Sequence, residues 1–517
     1  MRTAVTLWIP SVWLALIGSR PLTLWLYNRR DIDYSEGSPL DMAVYSALIA
    51  AALVVLIRRR IDWIALVRSN KWLLVLLVYI AISVLWSPSP FTGFKRYVKL
   101  VGMVAMAAVI LTEKQPHQAL KTVAARCAYV LIPTSILCIK YFPAFGMRYQ
   151  NWTGQPVFVG VTMHKNFLGQ LCLVAGLVLI WKLVDGWQLA RKDRIQLALD
   201  LFVLGLILQL LIRSNSQTSL VCLLAGASLF LLQGAGFIRR RITAVMVASI
   251  AVVSLLEMTL RLSEPVLAFL GRDPTLTGRT RLWQSLLPLA RNVWIGTGYE
   301  SFWTPQIQET LAAQGVQASV FSSHNGFLEV YMNLGLIGLA LYLAVIAVAY
   351  WNVLNWQQVD YRYSRFAYSL FWVILLYNMA EAGFRGLALI PFFFLVLALD
   401  VGNVTVTAAA VSTAERASGA GEQYIPSQHT KSHFRSGWHA DPIRRRRGAR
   451  WSAPDSAGGP ARNARGMSTA AISARVRAAP WRVAAIAESE DVQTRRRPVD
   501  GTRVVLRRTL RQSHEKT

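Results

Sequence analysis

Long apolar stretches recur along this chain, and that recurrence limits its fold more than any other feature. A helix needs roughly 17–25 mostly apolar residues to cross a bilayer. Twelve segments approach or meet that need: 5–19, 40–57, 72–88, 97–113, 124–142, 165–184, 195–213, 217–235, 241–258, 325–350, 365–381 and 386–404. The pattern predicts an all-α integral membrane protein with about 12 transmembrane helices in a polytopic domain over 1–404. Composition points the same way, with 54% hydrophobic and 16% charged residues. A soluble chain carries about a quarter charged residues, which argues against a soluble multidomain enzyme. The first segment follows Arg2 like a signal peptide, but Ser19-Arg20-Pro21 offers no small-residue cleavage site, so an uncleaved helix is expected.

The net charge of +28 does not by itself imply nucleic acid. In membrane proteins Lys and Arg gather in cytoplasmic loops. Here every second connection is basic: Arg58–Arg60; Lys114, Lys121 and Arg126; Lys182, Arg191, Lys192 and Arg194; Arg239–Arg241; Arg362 and Arg365. Both termini are then cytoplasmic, in a bacterial inner membrane. The other connections face the periplasm, including one long loop over 259–324. Its Trp283, Leu286, Leu287 and Leu289 have helix-like spacing, so an ordered, amphipathic loop is expected. From 405 to 517 apolar periodicity ends, and Arg444–Arg447 and Arg495–Arg497 form charge runs. This reads as a disordered, basic cytoplasmic tail, able to touch anionic lipid and carrying no nucleic-acid module. Cys127, Cys138, Cys172 and Cys222 lie in apolar segments without metal-ligand spacing and read as buried hydrophobes.

Cations on the outer side run against the positive-inside trend and need another reason to be there. Arg213 precedes Ser214-Asn215-Ser216-Gln217-Thr218-Ser219. Arg279 and Arg281 lie in Thr277-Gly278-Arg279-Thr280-Arg281-Leu282-Trp283. His164, Lys165 and Asn166 open the sixth segment, and Lys95, Arg96 and Lys99 lead into the fourth. Cations converging on one face suggest an anionic ligand, and the arginine fork suits phosphate. Arg385, four residues after Glu381, reads as an i,i+4 ion pair, and Arg96 and Lys99 as residues snorkelling at a helix end. His324 closes the long loop and can take a proton from a hydroxyl near neutral pH. Glu329, five residues on, enters the membrane, where a carboxylate needs a partner. There is no P-loop, no G-x-G-x-x-G turn, no H-E-x-x-H and no outside D-x-D. No metal site and no cofactor are expected, and a lipid-borne donor fits better than a soluble nucleotide.

In order, Ser19-Arg20-Pro21 with Trp25, Trp86-Ser87 before Lys95-Arg96, His164-Lys165-Asn166, Ser214-x-Ser216-x-Thr218-Ser219, Asp273-Pro274-Thr275-Leu276-Thr277-Gly278-Arg279, Gly296-x-Gly298-Tyr299, and His324-Asn325-Gly326 with Gly335 and Gly338 make one pattern. It resembles the O-antigen ligase and polymerase superfamily, especially its exopolysaccharide production proteins. The resemblance implies a C-type membrane glycosyltransferase that polymerises or ligates oligosaccharide repeats carried on undecaprenyl pyrophosphate, without a metal. It implies Arg213 and Arg279 as pyrophosphate ligands, with Arg281 and Lys165 as further candidates. His324 would be the base, with His164 and Glu329 in support. The implied partners are a lipid-linked oligosaccharide donor, a glycan acceptor, membrane lipids and other polysaccharide export proteins. A flippase or exporter of the same lipid-linked glycan is the competing reading. The candidate residues cluster at one face and the two halves show no similarity, which favours an enzyme.

Overall fold

The computed structural model describes residues 5–27, 38–59, 61–149, 154–190, 193–235, 241, 243–244, 279–316, 321–357 and 360–401. Most of the span expected at 241–258, the whole tail (405–517) and parts of the long loop (259–278 and 317–320) lie outside the described residues.

The molecule is a multi-pass, mostly helical membrane protein. Five described helices are long and apolar enough to cross a bilayer: Pro39–Arg58, Pro116–Tyr141, Lys165–Gly186, Arg194–Ser214 and Gly326–Trp356. A bent pair, Trp63–Ser69 with Lys71–Trp86, makes a sixth if counted as one span. Val5–Ile17, Gln217–Leu232 and Leu389–Ala398 are apolar but shorter. The number twelve is therefore not reached among the described residues. Helix Pro90–Leu111 carries Lys95, Arg96 and Lys99 near its start, which lowers its hydropathy.

Helix Lys165–Ala190 is the centre of the body. It packs against Pro116–Tyr141, Arg194–Ser214, Gln217–Leu232, Tyr361–Ala380 and Leu389–Ala398. The apolar window of its spanning part is 78% buried, against 22% in Pro39–Arg58, whose remaining surface is free for lipid. Gly169 permits one of these contacts: a Cβ there would stand 2.2 Å from Ser216 Oγ and 2.5 Å from Ser219 Oγ. All four cysteines are buried free thiols. One addition to the helical plan is a small antiparallel hairpin, Met147–Tyr149 with Pro156–Phe158.

The described residues of the basic connections lie together at one end of the body. Arg59 pairs with Glu113, and Lys121 and Arg362 both pair with Asp185. Arg365 Nη2 donates to the Phe230 carbonyl at 2.6 Å. At the other end the described part of the long loop folds onto helix Gly326–Trp356, which is broken at Gly335 (φ 67°, ψ −167°). A break in a membrane helix frees backbone groups that need new partners. The loop and a neighbouring helix supply them. Thr297 N–H donates to Met332 O at 3.2 Å and Gly298 N–H to Asn333 O at 2.8 Å. Leu336 N–H donates to Val293 O at 2.8 Å and Ile337 N–H to Trp294 O at 3.1 Å. Tyr79 Oη donates to Leu334 O at 2.8 Å. Gly335 and Gly296 let the two backbones come this close, since a Cβ on Gly335 would lie 2.3 Å from the Trp294 carbonyl and one on Gly296 2.5 Å from that of Asn333. A second, small core of Leu282, Leu286, Phe302, Leu311 and Met332 completes the loop's attachment.

Candidate active site

Four chain segments meet at the loop-bearing end. Arg20 fixes one of them. It is 4% exposed, donates to the carbonyls of Phe145 (2.7 Å), Gly160 (2.8 Å), Val161 (3.2 Å) and Thr162 (3.1 Å), and stacks between Trp25 and Phe145. Thr162 Oγ1 in turn donates to the His164 carbonyl at 3.0 Å, so the turn before helix Lys165–Ala190 is held from beneath.

His324 sits at the start of helix Gly326–Trp356 with a left-handed backbone (φ 51°), a conformation that non-glycine residues seldom adopt. Asn325 caps the helix through Oδ1, which accepts from the N–H groups of Phe327 (2.9 Å) and Leu328 (3.1 Å). Gly326 allows close passage of Asn378, whose Oδ1 would be 1.9 Å from a Cβ there. Glu329 is 3% exposed and anchors the turn: it accepts from Trp303 Nε1 at 2.6 Å and from Ser323 N–H at 3.0 Å, with Arg385 Nη1 at 3.3 Å. This is the partner that a carboxylate at this depth requires. It also corrects the pairing expected for Arg385, which joins Glu329 and the Phe321 carbonyl rather than Glu381.

Glu381 is thereby left for the site. It ends helix Tyr361–Ala380 in an extended conformation, so the i,i+4 geometry of a helix does not continue to Arg385. Its Oε1 accepts from Arg279 Nη2 at 2.9 Å. Its Oε2 lies 2.9 Å from His324 Nδ1 and accepts from Asn166 Nδ2 at 3.0 Å. One carboxylate thus joins the arginine of the T-G-R stretch, the histidine of the H-N stretch and the asparagine of the H-K-N stretch. Burial pushes the Glu381 carboxyl up, but the hydrogen bond and charge of His324, with Arg279 and His164, outweigh it and hold the group below its ordinary value. An ionised carboxylate only accepts hydrogen bonds, so His324 Nδ1 is the donor in this pair, and in the neutral ring Nε2 is then the acceptor.

The other candidates fall into three groups. His164 is exposed by area yet set in a recess near the same carboxylate. Desolvation lowers its pKa, Glu381 opposes this, and Lys165 and His324 add to it. Lys165 begins its helix one residue before Asn166. Arg213 is exposed at the end of helix Arg194–Ser214 and makes no hydrogen bond or ion pair among the described residues. It directly precedes the serine stretch that packs on Gly169, so it lies at the same end of the body. Arg281 turns away, with Nη2 donating to the Gln314 carbonyl at 3.1 Å. Of the two neighbouring arginines, Arg279 enters the cluster and Arg281 braces the loop. Among the described residues no group of three His, Cys, Asp or Glu side chains is placed to hold a metal.

Comparison with known proteins bears on this arrangement. Residues 202–343 match the family model described as O-Antigen ligase. That segment is similar to the O-antigen ligase family. It contains Arg213, Arg279 and His324, and stops short of Glu381. The chain is also similar to the exopolysaccharide production protein ExoQ of Rhizobium meliloti (strain 1021), with 26% identity over 301 residues. The match covers 56% of this chain and 66% of that relative. The chain is thus a multi-pass membrane protein with similarity to O-antigen ligases over residues 202–343 and to an exopolysaccharide production protein.

Proposed function

We propose that this protein is a metal-independent membrane glycosyltransferase that polymerises or ligates oligosaccharide repeats carried on undecaprenyl pyrophosphate. It would act at the periplasmic face of a bacterial inner membrane, with both termini in the cytoplasm. The single observation that carries the reading is the Glu381 bridge between Arg279 and His324. The similarity to an exopolysaccharide production protein supports the glycan as substrate.

In this reaction an acceptor hydroxyl oxygen attacks the anomeric carbon of the donor. His324 Nε2 takes the hydroxyl proton as the new bond forms. The anomeric carbon–oxygen bond breaks and the pyrophosphate leaves with the electron pair. Arg279, with Arg213 and Lys165, meets the charge that develops there, as fixed cations can do in a site of low dielectric. Glu381 holds the His324 tautomer through Nδ1 and balances the imidazolium that forms, the division of labour seen in carboxylate–histidine pairs elsewhere. Glu329 supports the turn that carries His324 and takes no part in proton transfer.

Deletion of the gene tests this directly. Loss of long polysaccharide, with lipid-linked repeats gathering on the periplasmic leaflet, is the expected result. Repeats gathering on the cytoplasmic leaflet would instead indicate a flippase.

A further inference from the structure

A cavity of about 220 Å³ opens beside the start of helix Lys165–Ala190, apart from the Glu381 cluster. Its walls come from the Gly18–Pro21 turn, the first turns of helix Pro39–Arg58, helix Pro90–Leu111, residues around Met163 and the segment after Arg385. Asp41, Tyr45, Lys99 and Gln170 are among its polar lining, while Met163 and Phe167 form an apolar rim. Lys99 is not the snorkelling residue that its sequence position suggests. It lines an internal space, with Nζ over the Tyr45 ring at 5.3 Å from the centroid. It makes no hydrogen bond or ion pair among the described residues, and a half-buried ammonium without an acceptor is costly inside a membrane body. Its neighbour Arg96, by contrast, is engaged with the Glu300 carbonyl.

Asp41 decides what class of ligand suits this lining. Its carboxylate accepts from Leu22 N–H at 2.9 Å, Thr23 N–H at 3.4 Å and Thr23 Oγ1 at 2.8 Å, which leaves one lone-pair direction on Oδ2. It puts a negative charge in the same cavity as Lys99, and the two balance. A free anion would gain from Lys99 and lose to Asp41. A neutral polyol loses to neither: its hydroxyls accept from an ammonium and donate to a carboxylate, and its C–H faces lie on apolar and aromatic walls. The space is large enough to take one pyranose ring.

We propose that this cavity is a binding subsite for a single neutral sugar ring, with Lys99 and Asp41 hydrogen-bonding its hydroxyls. The inference rests on the glycosyltransferase reading for its biological meaning, in which the ring belongs to the acceptor glycan. Helix Lys165–Ala190 links the two places, since Asn166 reaches Glu381 while Phe167 and Gln170 line the cavity.

The test is saturation-transfer NMR on the full-length protein in lipid nanodiscs, with free glucose and galactose as probes and inorganic phosphate as competitor. No lipid-linked donor is present, so the outcome does not depend on whether the protein transfers sugar. The wild type should give sugar signals that phosphate does not displace. Lys99→Met should reduce them at least several-fold. Met163→Trp, a change at the rim that fills space without touching the charges, should also reduce them. Both variants are first checked for a monodisperse elution peak, and if Lys99→Met fails this check, Met163→Trp alone decides. Absent sugar signals in the wild type, signals unchanged in the folded variants, or displacement by phosphate would each overturn the proposal, the last in favour of an anion site.

Discussion

Arg279 and His324, 45 positions apart in the chain, are held by opposite oxygens of one carboxylate, each 2.9 Å from Glu381. The bridge fixes where the cation stands relative to the imidazole, and it has consequences for several variants.

Glu381→Gln keeps the size of the side chain but replaces one oxygen with a donor. It can no longer hold Arg279 and the Nδ1–H tautomer of His324 together. Transfer should fall by about 10²–10⁴-fold, the usual contribution of a positioned base, while the protein still accumulates in the membrane. Single-turnover rates of purified protein measure this, and an unchanged rate would remove Glu381 from the mechanism.

The two neighbouring arginines should separate. Arg279→Lys retains charge and loses the planar fork, so a loss of about 10²–10³-fold in rate is expected, the scale of removing one donor to developing charge. Arg213→Lys should be impaired in the same direction. Arg281→Ala removes only an exposed bond to the Gln314 carbonyl, and its effect on stability should stay within about 0.5 kcal/mol. Equal loss in Arg279 and Arg281 variants would contradict the geometry.

Low pH should open the bridge. The folded-state pKa of Glu381 lies below its ordinary value of 4.5. Its contribution to stability is therefore complete above that value and is lost as pH falls through the depressed folded-state pKa. Thermal unfolding in detergent, followed downward from pH 5, should show a steeper loss in the wild type than in Glu381→Gln, which has no proton to gain there. Parallel curves would mean that the bridge adds no stability.

Gly335→Ala should be far worse than an ordinary helix substitution. Its backbone lies in a region almost reserved for glycine, which alone costs about 1–3 kcal/mol for another residue, and the new Cβ would meet the Trp294 carbonyl at 2.3 Å. Gly186→Ala is the control: nothing lies within 4 Å of its Cβ position, and a gain of about 0.5–1 kcal/mol is expected in a helix. Melting temperatures of the two variants, read beside the wild type, check the contrast.

Much of the arrangement was legible from residue types and spacing. Apolar runs located most helices, and the outlying cations and His324 marked one end of the body. Hydropathy could not reveal the break at Gly335, because Leu334-Gly335-Leu336 reads as continuous apolar helix and the cause is a close backbone approach from residues 293–298. Glu381 was missed for a related reason. Its partners are 57 and 102 positions away, whereas the nearby Arg385 offered a local pair that the extended conformation of Glu381 does not continue. A carboxylate at the end of an apolar helix, in a chain with cations gathered near other helix ends, was the one available signal. Lys99 was misread because sequence position gives depth along a helix and not the cavity beside it.

The central claim is that His324 is the base held by Glu381 beside Arg279. Its most direct test is His324→Ala in a reconstituted assay that measures lipid-linked donor binding and glycan transfer on the same purified sample. The account predicts donor affinity close to wild type and transfer reduced by about 10²–10⁴-fold. Wild-type transfer by the alanine variant would contradict it and leave His324 as the residue that begins a helix.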